Sequence, residues 1–331
     1  PNPETGEPVI EYEGSYALLI GASDYQNNAW PDLESVPGEL ARVESVLQEH
    51  GFTVEKHLNP TGQELERLYE EFLDRYGYDV PNRLVFFYSG HGWTGKNNKR
   101  GFIVPVDAPD PVKQRRDFRA KALSMSRILA GARDAEANHA LYLFDSCFSG
   151  TIFKTKALPK EPPHITKALG LPVRQFITAG GAKDPVPAQS TFTPAFVDAL
   201  VLGRGDLNKD GYVSGTELGL YLQQEVPRHT RQTPQFGKIN DYDLSRGDFI
   251  FALPQTEVAA AAAPKVDSAA LKAQEKMLDL EFWKTVRASN DPEMLQAYLD
   301  AFPDGVYAKL AKLMLAKLKA SPAKELTSDD I

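Results

Sequence analysis

Two residues whose side chains can do covalent chemistry stand in glycine-containing turns, each at the end of an apolar segment. His91 lies in the motif SGHG directly after the run Arg83–Tyr88, and Cys147 lies in DSCFSG after His139–Asp145. A free thiol has a pKa of about 8.5, so a neighbouring imidazole can activate it and later protonate a leaving amine. Singly, a buried structural cysteine and a hydrogen-bonded loop histidine are ordinary features. Their joint placement favours Cys147 as a nucleophile with His91 as its acid–base partner.

The elements that must position these two turns form an alternating pattern. Short, continuously apolar runs predict buried strands, and between them lie segments with helical periodicity, such as Gly38–His50. A capping box of Thr61 and Glu64 predicts the start of another helix. The predicted strands are Tyr16–Gly21, Thr53–Leu58, Arg83–Tyr88, His139–Asp145, Val173–Thr178 and Phe249–Leu253. This order predicts an α/β fold with a mostly parallel central sheet covered on both faces. Sites in such sheets lie at the carboxyl ends of strands, where both turns fall.

The two motifs together resemble the clan of caspases, metacaspases and their bacterial caspase-like or orthocaspase-type relatives. His91 precedes Cys147 by 56 residues, and in caspases the interval is about 50. The segments YALLIGASDY, FIVPVDA, FITAGG and RQTPQFGK extend the similarity over roughly residues 14–253. The resemblance implies a caspase-like, flavodoxin-like sandwich and a C14-type cysteine endopeptidase with a Cys–His dyad. It also implies an oxyanion hole from the backbone N–H groups of Gly92 and Cys147, each such donor contributing about 3 kcal/mol.

The resemblance bears on the residue after which the enzyme would cleave. In metacaspases an aspartate two positions before the cysteine helps to form a pocket for Arg or Lys, and Asp145 matches it. The alternative for Asp145 is a strand-end carboxylate bonded to backbone. A second pocket aspartate usually lies in a stretch resembling PGAxNDA, where this chain has PGELARV with Arg42 at the acidic position. Arg42 either faces the pocket and repels a basic P1 side chain, or is a solvated helix residue.

Basic residues after the nucleophile raise the question of self-processing. They lie in a proline-rich segment predicted to be a loop, and they are Lys154, Lys156, Lys160, Lys167 and Arg174. An enzyme that accepts basic P1 residues would be able to cleave itself there. The alternative is an ordinary solvated loop.

A third motif points to calcium. The segment DLNKDGYVSGTE fits the EF-hand loop pattern D-x-N-x-D-G-x5-E. Hard cations prefer oxygen ligands, which this loop offers at the spacing that the EF-hand uses. The expected ligands are Asp206, Asn208, Asp210, the Tyr212 carbonyl, Ser214 and Glu217. We expect a structural Ca²⁺ site, the alternative being an acidic turn without metal.

Composition divides the chain into five segments. An N-terminal extension (1–13) precedes a catalytic domain (14–254), an alanine-rich linker (255–270), a helical hairpin (271–320) and a polar tail (321–331). The hairpin resembles a short helical repeat appended to bacterial caspase-like proteins, and its expected core is Trp283, Leu295, Tyr298, Leu299 and Phe302. The simplest interpretation is that these residues only form the core of the hairpin. The alternative is that the hairpin is a docking surface for a protein partner.

Charge and apolar content exclude further classes. A net charge of −8 offers no basic face for nucleic acid, and no run approaches the roughly 18 apolar residues of a membrane span. The family resemblance implies protein or peptide substrates. The single cysteine excludes an internal disulfide. Bacterial cytoplasm, periplasm and secretion all stay open, since a chain starting at Pro1 fits either a cleaved signal peptide or trimming. The alternative function is a caspase-like pseudoenzyme or calcium-stabilised scaffold that binds partners.

Overall fold

The chain divides into two compact units, Pro1–Pro254 and Gln255–Ile331. The computed structural model describes residues 12–95, 100–147, 170–181, 189–253, 295–296, 299 and 307–320. In the described part of the first unit the strands are β1 (Gly14–Gly21), β2 (Thr53–Leu58), β3 (Asn82–Ser89), β4 (Gly92–Thr94), β5 (Gly101–Ile103), β6 (Leu123–Ser124), β7 (His139–Cys147), β8 (Val173–Gly180), β9 (Tyr212–Ser214), β10 (Gln235–Lys238) and β11 (Ile250–Ala252). The α-helices there are α1 (Val36–Glu49), α2 (Gly62–Tyr76), α3 (Arg115–Lys121), α4 (Met125–Asp134), α5 (Phe192–Val201) and α6 (Gly215–Glu225).

Six strands form the central sheet in the order β10-β8-β7-β3-β1-β2. All neighbours in it run parallel except β10, which is antiparallel to β8. Every residue of β3 and β8 is buried, because helices cover both faces of the sheet. The predicted α/β fold with a mostly parallel central sheet is therefore confirmed.

Local sequence signals account for the helix boundaries. The α2 helix begins at the predicted capping box, in which the Thr61 N–H donates to Glu64 Oε2 over 2.9 Å, and it is followed by Gly77. In α1, the apolar residues Val36, Leu40, Val43 and Leu47 are buried at helical spacing. The α1 helix contacts α5, and α2 contacts α3.

One predicted strand lies outside the central sheet. The region Phe249–Leu253 forms β11, which pairs antiparallel with β9 in a separate two-stranded sheet. The buried Arg83 holds β11 there, since its Nη1 donates to the carbonyl of Ile250 over 2.7 Å. Strands β4 and β6 and helix α3 were not predicted, because such short segments carry little periodicity of their own.

Arg174 corrects one expectation of the self-processing hypothesis. It lies on β8, not in a loop, and is fully buried. Its guanidinium donates to the carbonyl oxygens of Ala132, Ala135 and Asn138, which satisfies a charge that burial would otherwise make costly. Such a residue is not accessible to a peptidase. The four lysines at 154, 156, 160 and 167 lie outside the described residues.

The second unit is described only around its last helix, α7 (Ala308–Ala320). Leu295, Ala311 and Leu315 are buried together, with Leu299 packed against them. Of the predicted hairpin core, Trp283, Tyr298 and Phe302 lie outside the described residues, as does the predicted linker. The hairpin and its docking role stay predictions. In the described part of the chain, no helix has the length and apolar character to cross a membrane.

Candidate active site

Adjacent parallel strands bring the histidine and cysteine turns to one edge of the central sheet. Ser89 at the end of β3 pairs in register with Asp145 on β7. His91 and Cys147 each lie two residues beyond that pair. On its other side, Cys147 pairs with Gly180 of β8. Cys147 is described here as strand backbone, and its side chain lies outside the described part of the structure.

The imidazole of His91 is held in one orientation by a backbone carbonyl. His91 is 8% exposed, and its Nε2 lies 2.7 Å from the carbonyl oxygen of Pro31. A carbonyl only accepts, so Nε2 carries the proton and the neutral ring keeps its lone pair on Nδ1. The rings of Tyr25 and Trp30 flank the imidazole, with centroids 4.8 and 5.6 Å away. The ring is thereby prepared to accept a proton at Nδ1.

The turn that carries His91 is fixed by two buried tyrosines. The His91 N–H donates to the hydroxyl of Tyr25 over 2.8 Å. The hydroxyl of Tyr88 lies 3.0 Å from the His91 carbonyl oxygen and 2.8 Å from that of Val104. A Cβ at Gly90 would lie 2.6 Å from the Tyr88 hydroxyl oxygen and 2.9 Å from that of Tyr25. Only glycine fits at this position, which explains the first glycine of the SGHG motif.

Burial sets the protonation state of His91. Desolvation lowers the pKa of the imidazole below its ordinary value, and the hydrogen bond to Pro31 and the charge of Asp32 oppose this only in part. The ring is therefore neutral at neutral pH, which is the form that a general base requires.

A β-bulge shapes a cleft beside the His91 turn. Between Phe144 and Cys147 the register of β7 against β8 shifts by one residue. On a regular strand, consecutive side chains face opposite sides, whereas Asp145 and Ser146 both line this cleft. The cleft is narrow, with a volume of about 20 Å³. We call it the acidic cleft, and its polar lining includes Glu39, Ser89, Asp145, Ser146 and Ser190.

Two carboxyl groups lie close together in the acidic cleft. Asp145 accepts hydrogen bonds from the hydroxyls of Ser190 and Thr193, the latter over 2.6 Å. Glu39 accepts from the Ser89 hydroxyl and the Ser190 N–H, both over 3.2 Å. Burial, together with the negative charge of Glu39, raises the pKa of Asp145 to about 7, although the two hydroxyls pull it down. The Oγ of Ser146 is also buried there and has no hydrogen-bond partner among the described residues.

The helix residue that lines the cleft is Glu39 and not Arg42. Arg42 is exposed on α1 and does not line the acidic cleft, which favours the solvated-helix alternative. Glu39 lies one helical turn earlier and is 2% exposed. Glu39 was missed, although it was visible as a single acid on the apolar face formed by Val36, Leu40 and Val43. An acid on a buried helix face needs a polar partner, and here the partners are Ser89 and Ser190.

Gly92, a predicted donor of the oxyanion hole, opens β4 and pairs in register with Ile103 of β5. The strand therefore continues directly from the His91 turn. The roles of the Gly92 and Cys147 N–H groups stay predictions.

The predicted calcium loop folds around its own carboxylates. Asp206 accepts from the N–H groups of Asp210 and Gly211 over 3.1 and 2.9 Å. Glu217 caps α6, accepting from Ser214, and its other oxygen accepts from the Asn208 N–H over 3.3 Å. Burial raises the pKa of Glu217.

The donor set of this loop has the chemistry of a hard-cation site, since it supplies carboxylate, amide, hydroxyl and carbonyl oxygens. Glycine at its sixth position has φ +86°, the left-handed conformation that the sharp turn requires. Among the described residues, however, no three His, Cys, Asp or Glu side chains converge as a metal cluster. To coordinate an ion, Glu217 would have to give up the hydrogen bonds that it accepts from backbone N–H groups of the loop. Ca²⁺ binding stays a prediction.

The fold and the two strand tips define an α/β protein with a candidate cysteine–histidine centre. The Peptidase C14 caspase domain profile matches residues 15–252. The chain therefore belongs to this family of cysteine peptidases, whose substrates are proteins. Caspase-1 from Spodoptera frugiperda is similar in structure, with a TM-score of 0.47 and 12% sequence identity over 76% of this chain and 94% of that chain. A sequence search of curated proteins found no match.

Proposed function

We propose that the chain is an endopeptidase in which His91 activates Cys147. The observation that carries this proposal is the Nε2–H···O bond to Pro31, which leaves Nδ1 of a buried, neutral imidazole as the proton acceptor. The strand register supports it, because it places both residues two positions past one β3–β7 pair.

Each chemical step then has a proton donor and acceptor. Nδ1 takes the proton of the Cys147 thiol, and the sulfur attacks the scissile carbonyl carbon to form a C–S bond. The Nδ1 proton passes to the leaving amine as the C–N bond breaks, which leaves a thioester. Nδ1 next takes a proton from water, the hydroxide adds to the thioester, and the thiol is released with that proton. The imidazole ends each cycle neutral.

Fluorogenic peptides with varied P1 residues test this proposal on the wild type, Cys147→Ala and His91→Gln. We expect cleavage by the wild type only, with both variants folded. Absence of cleavage across the library, with and without calcium, would favour the pseudoenzyme alternative.

We further propose that the acidic cleft receives an Arg or Lys side chain at P1. Glu39 and Asp145 offer two buried carboxyl groups, and none of the described residues that line the cleft is basic. A cationic partner would offset both the burial of the Asp145 carboxylate and its repulsion by Glu39, which together raise its pKa. The unpartnered hydroxyl of Ser146 is a further acceptor for a guanidinium or ammonium donor.

The P1 proposal is tested with Glu39→Gln and Asp145→Asn, and Arg42→Gln is the matched control on the same helix. We expect kcat/KM for Arg substrates to fall at least tenfold in the first two and to stay unchanged in the control. A larger effect of Arg42→Gln would show instead that this arginine governs the pocket.

The same preference for basic P1 residues would allow the enzyme to cleave its own chain. If basic P1 residues are accepted, the lysines at 154, 156, 160 and 167 offer cleavage sites shortly after the nucleophile in the sequence. Incubating the wild type beside Cys147→Ala tests this, and identical intact bands would contradict it.

We also propose that loop 206–217 binds Ca²⁺ and stabilises the domain. The loop is followed by α6, whose residue Thr216 donates both its N–H and its hydroxyl to the buried Asp248. Asp248 also accepts from Gln175 on the central strand β8 over 2.6 Å. Order in the loop is thus coupled to the sheet through buried hydrogen bonds, which favours a structural role for the ion.

A further inference from the structure

A second concave region lies among α2, β5, α3 and α4 and shares no lining residue with the acidic cleft. Its volume is about 590 Å³, within the roughly 300–1,000 Å³ typical of small-molecule sites. We call it the basic cleft. Its charged lining residues are Arg100, Arg119, Lys121, Arg127 and Glu66. Four cations and one acid in one concavity contrast with the net charge of −8 of the whole chain.

Two of these cations already have partners. Lys121 pairs with Asp107 over 2.7 Å, and Arg127 pairs with Glu66 over 2.7 Å and with Glu70 over 2.5 Å. Arg100 and Arg119 form no ion pair and no side-chain hydrogen bond with any described residue. The cleft therefore offers two uncompensated guanidinium groups, each a forked donor suited to oxyanions.

Closely packed elements frame the basic cleft. A Cβ at Gly62, the first residue of α2, would lie 2.3 Å from the carbonyl oxygen of Lys121, so the two backbones are in close contact. The helix α4 begins at the cleft with Ser124 as its N-cap, whose hydroxyl accepts from the Arg127 N–H over 3.3 Å. The partial positive charge of this helix end adds to that of the arginines.

We propose that the basic cleft binds a small molecule carrying a polyphosphate group. Linked phosphates carry several negative charges, which suits a cleft with two unpaired guanidinium groups, whereas a single carboxylate carries one. This inference does not depend on the peptidase reaction. Binding is therefore measured on the full-length Cys147→Ala chain, which cannot cleave itself during the titration.

Isothermal titration with tripolyphosphate, in EDTA and at physiological ionic strength, tests the proposal. EDTA removes any contribution from chelation of loop calcium, and the salt screens weak surface attraction. We expect saturable binding that Arg100→Gln and Arg119→Gln each weaken about tenfold. Arg116→Gln, an exposed arginine on α3 outside the cleft, is the matched control and should bind normally. Equal melting temperatures without ligand establish that the variants are folded.

ATP and citrate distinguish the ligand class. Binding of ATP but not citrate, with the same dependence on Arg100 and Arg119, supports a polyphosphate site. Citrate binding as tightly as tripolyphosphate would overturn the polyphosphate assignment. Absence of saturable binding, or equal weakening by Arg116→Gln, would overturn the site.

Discussion

The imidazole of His91 donates its Nε2 proton to the carbonyl oxygen of Pro31 over 2.7 Å, and this bond decides which nitrogen can serve as a base. No third side chain is needed to orient the ring, because a backbone carbonyl from the loop between β1 and α1 does so. The resemblance to caspases implied a dyad, and the described geometry of His91 accords with it. The orientation of His91 in the proposed dyad therefore depends on a contact between residues 60 positions apart.

The fall of kcat/KM at low pH should report the protonation of His91. Because burial lowers the pKa of His91, the neutral base persists below the ordinary value of 6.5. With a substrate that has an uncharged P1 residue, kcat/KM should therefore fall only below pH 6.5. A half-maximal point at or above pH 6.5 would contradict this expectation. His229→Gln, at an exposed histidine on the surface, should leave the profile unchanged.

The acidic cleft predicts a second pH effect, specific to basic P1 residues. Asp145, with a pKa of about 7, must be ionised to bind a cation, so kcat/KM for Arg substrates should rise as the pH rises through 7. Burial is the main cause of this raised pKa and the charge of Glu39 adds to it, so Glu39→Gln removes one of the two contributions. We therefore expect the limb to move to lower pH in the variant while the maximal rate falls. Measuring kcat/KM against pH for the wild type and the variant checks this. If the rise occurs at the same pH in both, the charge of Glu39 does not influence the ionisation of Asp145.

Gly90 predicts a steric effect on the histidine turn. In Gly90→Ala the new methyl group would meet the hydroxyls of Tyr88 and Tyr25 at under 3.0 Å. We expect the free energy of unfolding to fall by about 1–3 kcal/mol, with a larger loss of kcat than of substrate binding. Gly38→Ala is the control, since no atom lies within 4 Å of a Cβ there and Gly38 is exposed on α1. Urea denaturation should show this control unchanged or more stable by up to about 1 kcal/mol. Equal destabilisation of both variants would refute the steric argument.

His139 predicts a loss of stability in acid. This buried histidine begins β7, its Nδ1 lies 2.7 Å from the Tyr12 hydroxyl oxygen, and desolvation lowers its pKa to about 3. Below pH 6.5 the unfolded chain binds this proton and the folded chain does not, so stability falls between pH 6.5 and pH 3. The full effect is about 5 kcal/mol.

Asp145 acts in the opposite direction, since its raised pKa disfavours folding as the pH rises from about 4 to 7. The two slopes are separated by urea titrations at several pH values. His139→Gln should remove the acid-dependent loss, and Asp145→Asn should make that loss steeper. An unchanged slope in His139→Gln would exclude this histidine as its source.

The calcium loop predicts a stabilising effect of the metal. Adding Ca²⁺ after chelation should raise the melting temperature of the wild type and of Cys147→Ala alike. Glu217→Gln should abolish most of the shift, because it replaces the ligand expected to supply two oxygens. Activity measured on the same samples separates the roles: a change in kcat at temperatures where the chain stays folded would indicate regulation instead.

Much of the molecule follows from signals between residues close in the chain. The apolar run Arg83–Tyr88 is long enough to determine a buried strand, and the capping box of Thr61 and Glu64 determines where α2 begins. His91 and Cys147 were recognisable because each motif is contiguous.

Only the tertiary structure decided what surrounds them. Pro31 and Glu39 reach the site through packing of the β1–α1 region against strand ends far away in sequence. Glu39 is visible in the sequence as an acid on an apolar helix face, but nothing nearby in the chain identifies its partners, and Pro31 carries no such signal. The bulge that aims both Asp145 and Ser146 into one cleft, and the pairing of β11 with β9, arise from hydrogen bonding between distant strands. Helix caps and buried strands depend on neighbours along the chain, whereas tautomer, cleft and register depend on partners that only folding brings together.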